Sequence, residues 1–230
     1  MNRVLWEAPF INEKRCPPWP CPIYRKGFVG LVASSLTWKE TNDSKRARHA
    51  DDWWPDWVEY VFTAWGECST CKQPFAISGT GGIEIVIGED GTAEDKEKFF
   101  VPKMCNPMPE IFEIPTECPK EVCDELGATF KLFWSNSAAC GAQLRVALER
   151  LMDALSIPKR KKVGAKYSDL SLHARIALFG KNEPILGAQL LALKWLGNSG
   201  SHDSKMSRSD LFGRVRNNGT RAGRGCRQAL

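Results

Sequence analysis

The hydrophobic period of the chain changes at Pro115, and that change limits the fold more than any single motif does. Before it, the apolar residues fall in short stretches rich in β-branched and aromatic side chains. Gly27–Trp38, Trp57–Trp65 and Ile83–Ile87 read as strands, the last bounded by Gly81-Gly82 and Gly88. Between them, Glu40–Asp56 and Gly88–Lys98 are charged and read as loops, and Phe99–Pro115 reads as extended chain broken by Pro102, Pro107, Pro109 and Pro115. After Pro115 the spacing becomes helical. Val122, Leu126, Phe130 and Phe133 mark one helix over Pro119–Trp134, and Ala139, Leu144, Ala147, Leu148, Leu151 and Leu155 mark a second over Ser137–Leu155. Leu170–Phe179 and Pro184–Leu196 continue the pattern after a basic interruption at Lys159–Lys162. The expected class is α+β: a small β region over 1–114, then an antiparallel helical bundle over 115–212.

A chain of 230 residues that is 43% hydrophobic can bury real cores. No apolar run approaches the roughly 20 residues that span a bilayer, and the first residues lack the apolar core of a signal peptide. The expectation is therefore a cytoplasmic protein with no membrane partner. The net charge of +5 is local: residues 213–230 hold five arginines and no acid, while the rest balances 27 basic against 27 acidic side chains. The body thus lacks a global basic footprint for nucleic acid.

Nine cysteines in such a chain point to metal ligation or burial rather than disulfides. Cys68-Ser-Thr-Cys71 has the spacing with which two thiolates grip one ion from a tight turn, and Cys16 and Cys21 in CPPWPC form the best second pair. A structural zinc ion (Zn2+) on Cys16, Cys21, Cys68 and Cys71 would pin the ends of the β region together. The pairs depart from a compact ribbon: Cys16 and Cys21 are separated by four residues rather than two, and Tyr24 stands where a CPxC turn would carry its second cysteine. Burial as free thiols is the competing reading. A redox CxxC is disfavoured by the lack of a βαβ context. Cys105, Cys118, Cys123 and Cys140 have no pair spacing and read as core.

Residues 187–202, GAQLLALKWLGNSGSH, describe an apolar helix that stops at Gly197-Asn198 and leaves Lys194, Asn198 and His202 as a polar set. A fifth helix would start near Ser207, where a Ser cap precedes an acid. From Gly213 the chain has almost no apolar residues. Residues 213–230 are either a disordered basic tail that touches RNA or a frameshifted end, since suitable codons read one base later would encode an acidic amphipathic helix.

Five segments converge on a resemblance: IFEIP (Ile111–Pro115), CPKEVCDEL (Cys118–Leu126), Leu132–Leu155, SLHARIALF (Ser171–Phe179) and LKWLGNSGSH (Leu193–His202). Together they resemble the bacterial family known as domain of unknown function 4145, and the cysteine-bearing N-terminal part resembles the zinc-ribbon-like lead of some members. The resemblance implies a HEPN-like helical bundle, a superfamily rich in RNases and in partners of bacterial conflict systems. Its RNase signature is an Arg four to six residues before a His. Here positions 196–198 are Leu, Gly and Asn, so the signature is not intact.

Catalysis of RNA cleavage would fall to His202 as acid or base, with Asn198 beside it and Lys194 or Arg145 as the cation for the phosphate. The simpler reading makes Asn198 a cap, His202 a loop contact, and Arg145 with Glu149 a helix ion pair that faces Asn198 if buried. His173 and Arg175 read as surface residues and His49 as a solvated one. Trp53, Trp54 and Trp57 lie among Asp51, Asp52, Asp56 and Glu59, which repel a phosphate backbone. The expected function is a non-catalytic or weakly catalytic interaction module in a stress, defence or mobile-element setting, with a protein partner or a second copy of the chain. The alternatives are a metal-independent endoribonuclease and a module that binds RNA or DNA through the ribbon or the tail.

Overall fold

The computed structural model describes residues 3–7, 16–87, 93–202 and 207–211. Its class is α+β, with a curled antiparallel sheet followed by helices. A short helix α1 (Arg3–Glu7) precedes strands β1 (Trp19–Pro20), β2 (Phe28–Leu31) and β3 (Thr37–Glu40), helix α2 (Asn42–Ala47) and a 3-10 turn at Pro55–Trp57. The three long strands follow: β4 (Glu59–Cys68), β5 (Pro74–Ile87) and β6 (Ala93–Asn106). The sheet order is β1-β2-β4-β5-β6, with β3 sharing the β2 edge of β4.

β4 alternates strictly between exposed and buried residues, so Tyr60, Phe62, Ala64, Gly66 and Cys68 face the core. The other strands depart from the sequence reading in several ways, one being that β6 begins at Ala93, inside the Gly88–Lys98 stretch read as a loop, because it pairs there with β5. Gly27–Trp38 is two strands, split by a turn in which Ser34 takes a φ of 61° and the Ser35 hydroxyl donates to the carbonyl of Val32 at 2.7 Å. The stretch from Glu40 to Asp56 contains α2, whose N-terminus is capped by Thr41. Gly81-Gly82 does not bound a strand. β5 runs through it because β6 approaches too closely for side chains: a Cβ on Gly79 would meet the Val101 carbonyl at 2.2 Å, and one on Gly81 the Phe99 carbonyl at 2.5 Å. Pro102 is accommodated because β6 is an edge strand.

The four expected helices are present as α3 (Lys120–Ser135), α4 (Ser137–Ala154), α5 (Leu172–Phe179) and α6 (Pro184–His202). Asn136 closes α3 and caps α4 by accepting from the Ala139 amide at 3.0 Å. The basic interruption is a two-stranded hairpin, β7 (Arg160–Val163) with β8 (Lys166–Asp169). α6 does not stop at Gly197-Asn198 but continues to His202. Gly197 lies where α6 crosses α4, and a Cβ there would meet the Gly141 carbonyl at 2.8 Å and Arg145 Cβ at 3.1 Å. The glycine that looks like a helix stop is a contact point between helices. The short α7 (Arg208–Leu211) follows Ser207, whose hydroxyl accepts from the Asp210 amide while the Asp210 carboxylate accepts from the Ser207 amide. The expected tail, 213–230, lies outside the described residues.

Sheet and helices share one core. Trp6, Trp19, Val29, Phe62, Phe75 and Phe100 pack in the same buried cluster as Phe130, Phe133 and Trp134. A second cluster of Leu148, Met152, Leu172 and Ile176 holds α5 against α4. Among the described residues no helix is long and apolar enough to cross a membrane.

Candidate metal centre

Strand register builds the cysteine site. β1 pairs with β2 so that the turn between them, Cys21 to Gly27, closes on itself: the Cys21 amide donates to the Gly27 carbonyl at 2.9 Å. β2 then pairs with β4 in the register Val29↔Cys68, which sets this turn beside the one leaving β4. There the Cys68 amide donates to the Gln73 carbonyl at 3.0 Å, and Lys72 takes a φ of 61°. Gly27 permits the meeting, because a Cβ on it would sit 2.5 Å from the Cys68 thiol.

The two turns use their thiols alike. The Tyr24 amide donates to Cys21 Sγ at 3.2 Å, and the Cys71 amide to Cys68 Sγ at 3.4 Å, each from three residues downstream. The Thr70 amide adds a second donor to Cys68 at 3.4 Å. The thiols of Cys21, Cys68 and Cys71 all lie within 4.8 Å of one another, with 3.7 Å between Cys21 and Cys71. A tetrahedral ion with metal–sulfur bonds of about 2.3 Å needs sulfurs about 3.8 Å apart, so the spacing fits. Burial raises the Cys21 thiol, and the Tyr24 and Ile23 amides only partly offset it. Burial acts in the same sense on Cys68, but the Cys71 and Thr70 amides and the adjoining thiols outweigh it and bring that thiol down to about 7.

Cys16 does not join this group. It precedes β1 and lies on the core side near Cys105, its Sγ 3.6 Å from the Pro17 carbonyl, and burial pushes its thiol up to about 12. The four-thiolate set expected from the sequence is therefore corrected to three. Cys105 and Cys140 are likewise pushed up to about 12 by burial and are core thiols, whereas Cys118 and Cys123 are only half-buried. Gly27 reads in the sequence only as the start of a strand, because its need to be glycine comes from Cys68, 41 residues away.

The polar set of the bundle is partly assembled. Arg145 Nη1 donates to Asn198 Oδ1 at 3.0 Å, and Arg145 Nε lies 3.5 Å from Glu149 Oε1. Lys194 is buried, with its ammonium 3.9 Å from the centre of the Trp195 ring. His202 ends α6 and its side chain lies outside the described residues. His173 and His49 are exposed as read, but Arg175 is not: it is buried, donating to Asp153 Oδ1 at 2.7 Å and to the Ile157 carbonyl at 2.8 Å. Its guanidinium ties α5 to the end of α4, a tertiary role that spacing on a short helix does not reveal.

Residues 128–215 match the family described as Domain of unknown function (DUF4145), and residues 9–105 match a separate one, Domain of unknown function (DUF8608). No curated protein and no solved structure matches the chain.

Proposed function

We propose that the protein is a non-catalytic interaction module, organised by one zinc ion in its zinc-ribbon-like part, and that its HEPN-like bundle engages a protein partner in a bacterial stress, defence or mobile-element setting. The observation that carries this reading is the trio of Cys21, Cys68 and Cys71, with Cys21 and Cys71 separated by 3.7 Å and with amides aimed at two of the three sulfurs. Soft thiolates at this spacing suit zinc better than a hard cation. Bound there, zinc would supply a cross-link between the two turns. The chain itself supplies the donors, the amide hydrogen bonds and a glycine that lets the turns close.

Two further observations support an interaction role over catalysis. Arg145, Glu149 and Asn198 are engaged with one another, and Lys194 is packed on Trp195. A cleft of about 260 Å³ opens between α3, α4 and α6, lined by Leu126, Leu144, Leu151, Leu190, Leu193 and Leu196 with hardly a polar atom. An apolar helix of a protein partner, or of a second copy, fits a surface of that kind.

The test is elemental analysis of freshly purified, reduced protein, with an RNA-cleavage assay on the same preparation. The expected outcome is about one zinc per chain, lost in Cys68→Ser but kept in Cys16→Ser, with the RNA left intact. Protein free of zinc would remove the metal-organised reading. RNA cleavage abolished by His202→Ala in a folded variant would replace the module with an endoribonuclease.

A further inference from the structure

The β7–β8 hairpin stands outside both cores. All eight of its strand residues are exposed, including Val163 at 56% and Tyr167 at 70%. A two-stranded ribbon with neither face packed is marginal on its own, so its sequence is free to serve something other than stability. It is closed at its base by the Leu170 amide donating to the Lys159 carbonyl at 2.7 Å, and at its tip by Gly164 with a φ of 62°. Charge is concentrated on it. Lys159 pairs with Asp153 and Arg160 with Asp169, and these pairs brace the base. Lys161, Lys162 and Lys166 have no ion-pair partner among the described residues. The register places Lys162 directly across from Tyr167 on one face, and puts Lys161, Lys166 and Val163 on the other.

We propose that this hairpin is a finger that binds single-stranded nucleic acid. The three unpaired lysines would meet backbone phosphates, and the Tyr167 ring would offer a base a stacking surface beside the Lys162 charge. An exposed aromatic ring with a lysine directly across from it, and further lysines on the opposite face of the same ribbon, fits this partner, because every base has a π-face and each nucleotide a charge. The inference is independent of the metal centre.

The test uses the full chain and fluorescence anisotropy with a labelled single-stranded RNA of about 20 nucleotides, long enough to cover one such site. Replacing Lys161, Lys162 and Lys166 together with glutamine should weaken binding at least about tenfold and lower the salt dependence by about 2 in log–log slope, near 0.7 for each lost phosphate contact. Tyr167→Ala should weaken it about five- to tenfold and Tyr167→Phe should not, as stacking requires. Both effects should persist when the five arginines beyond residue 213 are changed to glutamine, which separates the finger from the tail. Unaltered thermal melting keeps the variants interpretable, and substitutions at exposed positions should leave it so. The proposal is overturned if the wild-type chain does not bind the RNA, if the triple glutamine variant binds as the wild type does, or if the variants lose affinity for anionic lipid vesicles but not for RNA.

Discussion

At Cys68, two amide donors and the adjoining thiols defeat the cost of burial, and the thiol is brought from its usual 9.0 to about 7. A thiol held down in this way stabilises the folded chain fully above pH 9, and that contribution is lost as the pH falls through 7. Metal binding follows the same sign, because the ligand is the thiolate. Zinc affinity should thus fall by about tenfold per pH unit for every proton that competes, already between pH 8 and 7 because the Cys21 thiol is raised, and more steeply below 7, where Cys68 is protonated as well. Tyr24 adds a second part to this prediction. Its amide serves Cys21 as the Cys71 amide serves Cys68, so it occupies the place of a fourth ligand while carrying a phenol. Tyr24→Cys should complete a four-thiolate set and slow zinc loss to a competing chelator by at least about tenfold, without altering the strands that hold the turns. Chelator competition followed at pH 6, 7 and 8 in both proteins checks the two parts together. An unchanged rate in Tyr24→Cys would mean that the two turns do not face one ion.

Helices were more legible than strands at the scale of elements, and the reason is physical. A 3.6-residue period survives over sixteen to nineteen residues, as in α3, α4 and α6, whereas a strand boundary depends on what the neighbouring strand does. Gly81-Gly82 looks like punctuation, but β5 runs through it and Gly81 is required because β6 crowds it. Gly197 misleads in the same way in α6. The pairing of Arg145 with Glu149, by contrast, could be read from their spacing of four, and their approach to Asn198 from the polar remainder on α6. Arg175 could not be read, because its burial depends on where Asp153 and Ile157 end α4. If Gly197 is a contact point rather than a stop, Gly197→Ala should not lengthen or rigidify the end of α6 to advantage. The new methyl would press on the Gly141 carbonyl, part of the α4 backbone, which cannot swing aside. The expected result is a loss of about 1–3 kcal/mol in chemical denaturation, the usual cost of an overpacked contact. A helix-stop glycine outside the crossing would give a change within about 0.5 kcal/mol, as surface positions do.

Across the whole molecule, the sequence divides at Pro115 but the core does not. Trp134, at the end of α3, packs edge-to-face with Trp19 of β1 at 5.0 Å between ring centres and with Trp6 of α1 at 6.1 Å, and the Trp19 indole donates to the Leu5 carbonyl at 3.0 Å. Arg208 of α7 closes the same junction. Its guanidinium donates to the Trp134 carbonyl at 3.0 Å and to the carbonyl of Pro102 in β6, and it lies over the Phe133 and Trp134 rings. The change of period therefore marks a change of element type across a shared buried cluster, and the two parts are expected to unfold as one unit. Truncating the shared aromatic should then destabilise sheet and helices together. Trp134→Ala is expected to cost about 3–5 kcal/mol, as large-to-small changes at buried aromatic sites do. Its effect should be the same whether unfolding is followed by far-ultraviolet circular dichroism, dominated by α3, α4 and α6, or by release of zinc from the turns between the strands. Two separate transitions, with the helical signal outlasting the metal, would show that the sheet and the bundle fold as independent bodies and that the tryptophan cluster is only a seam between them.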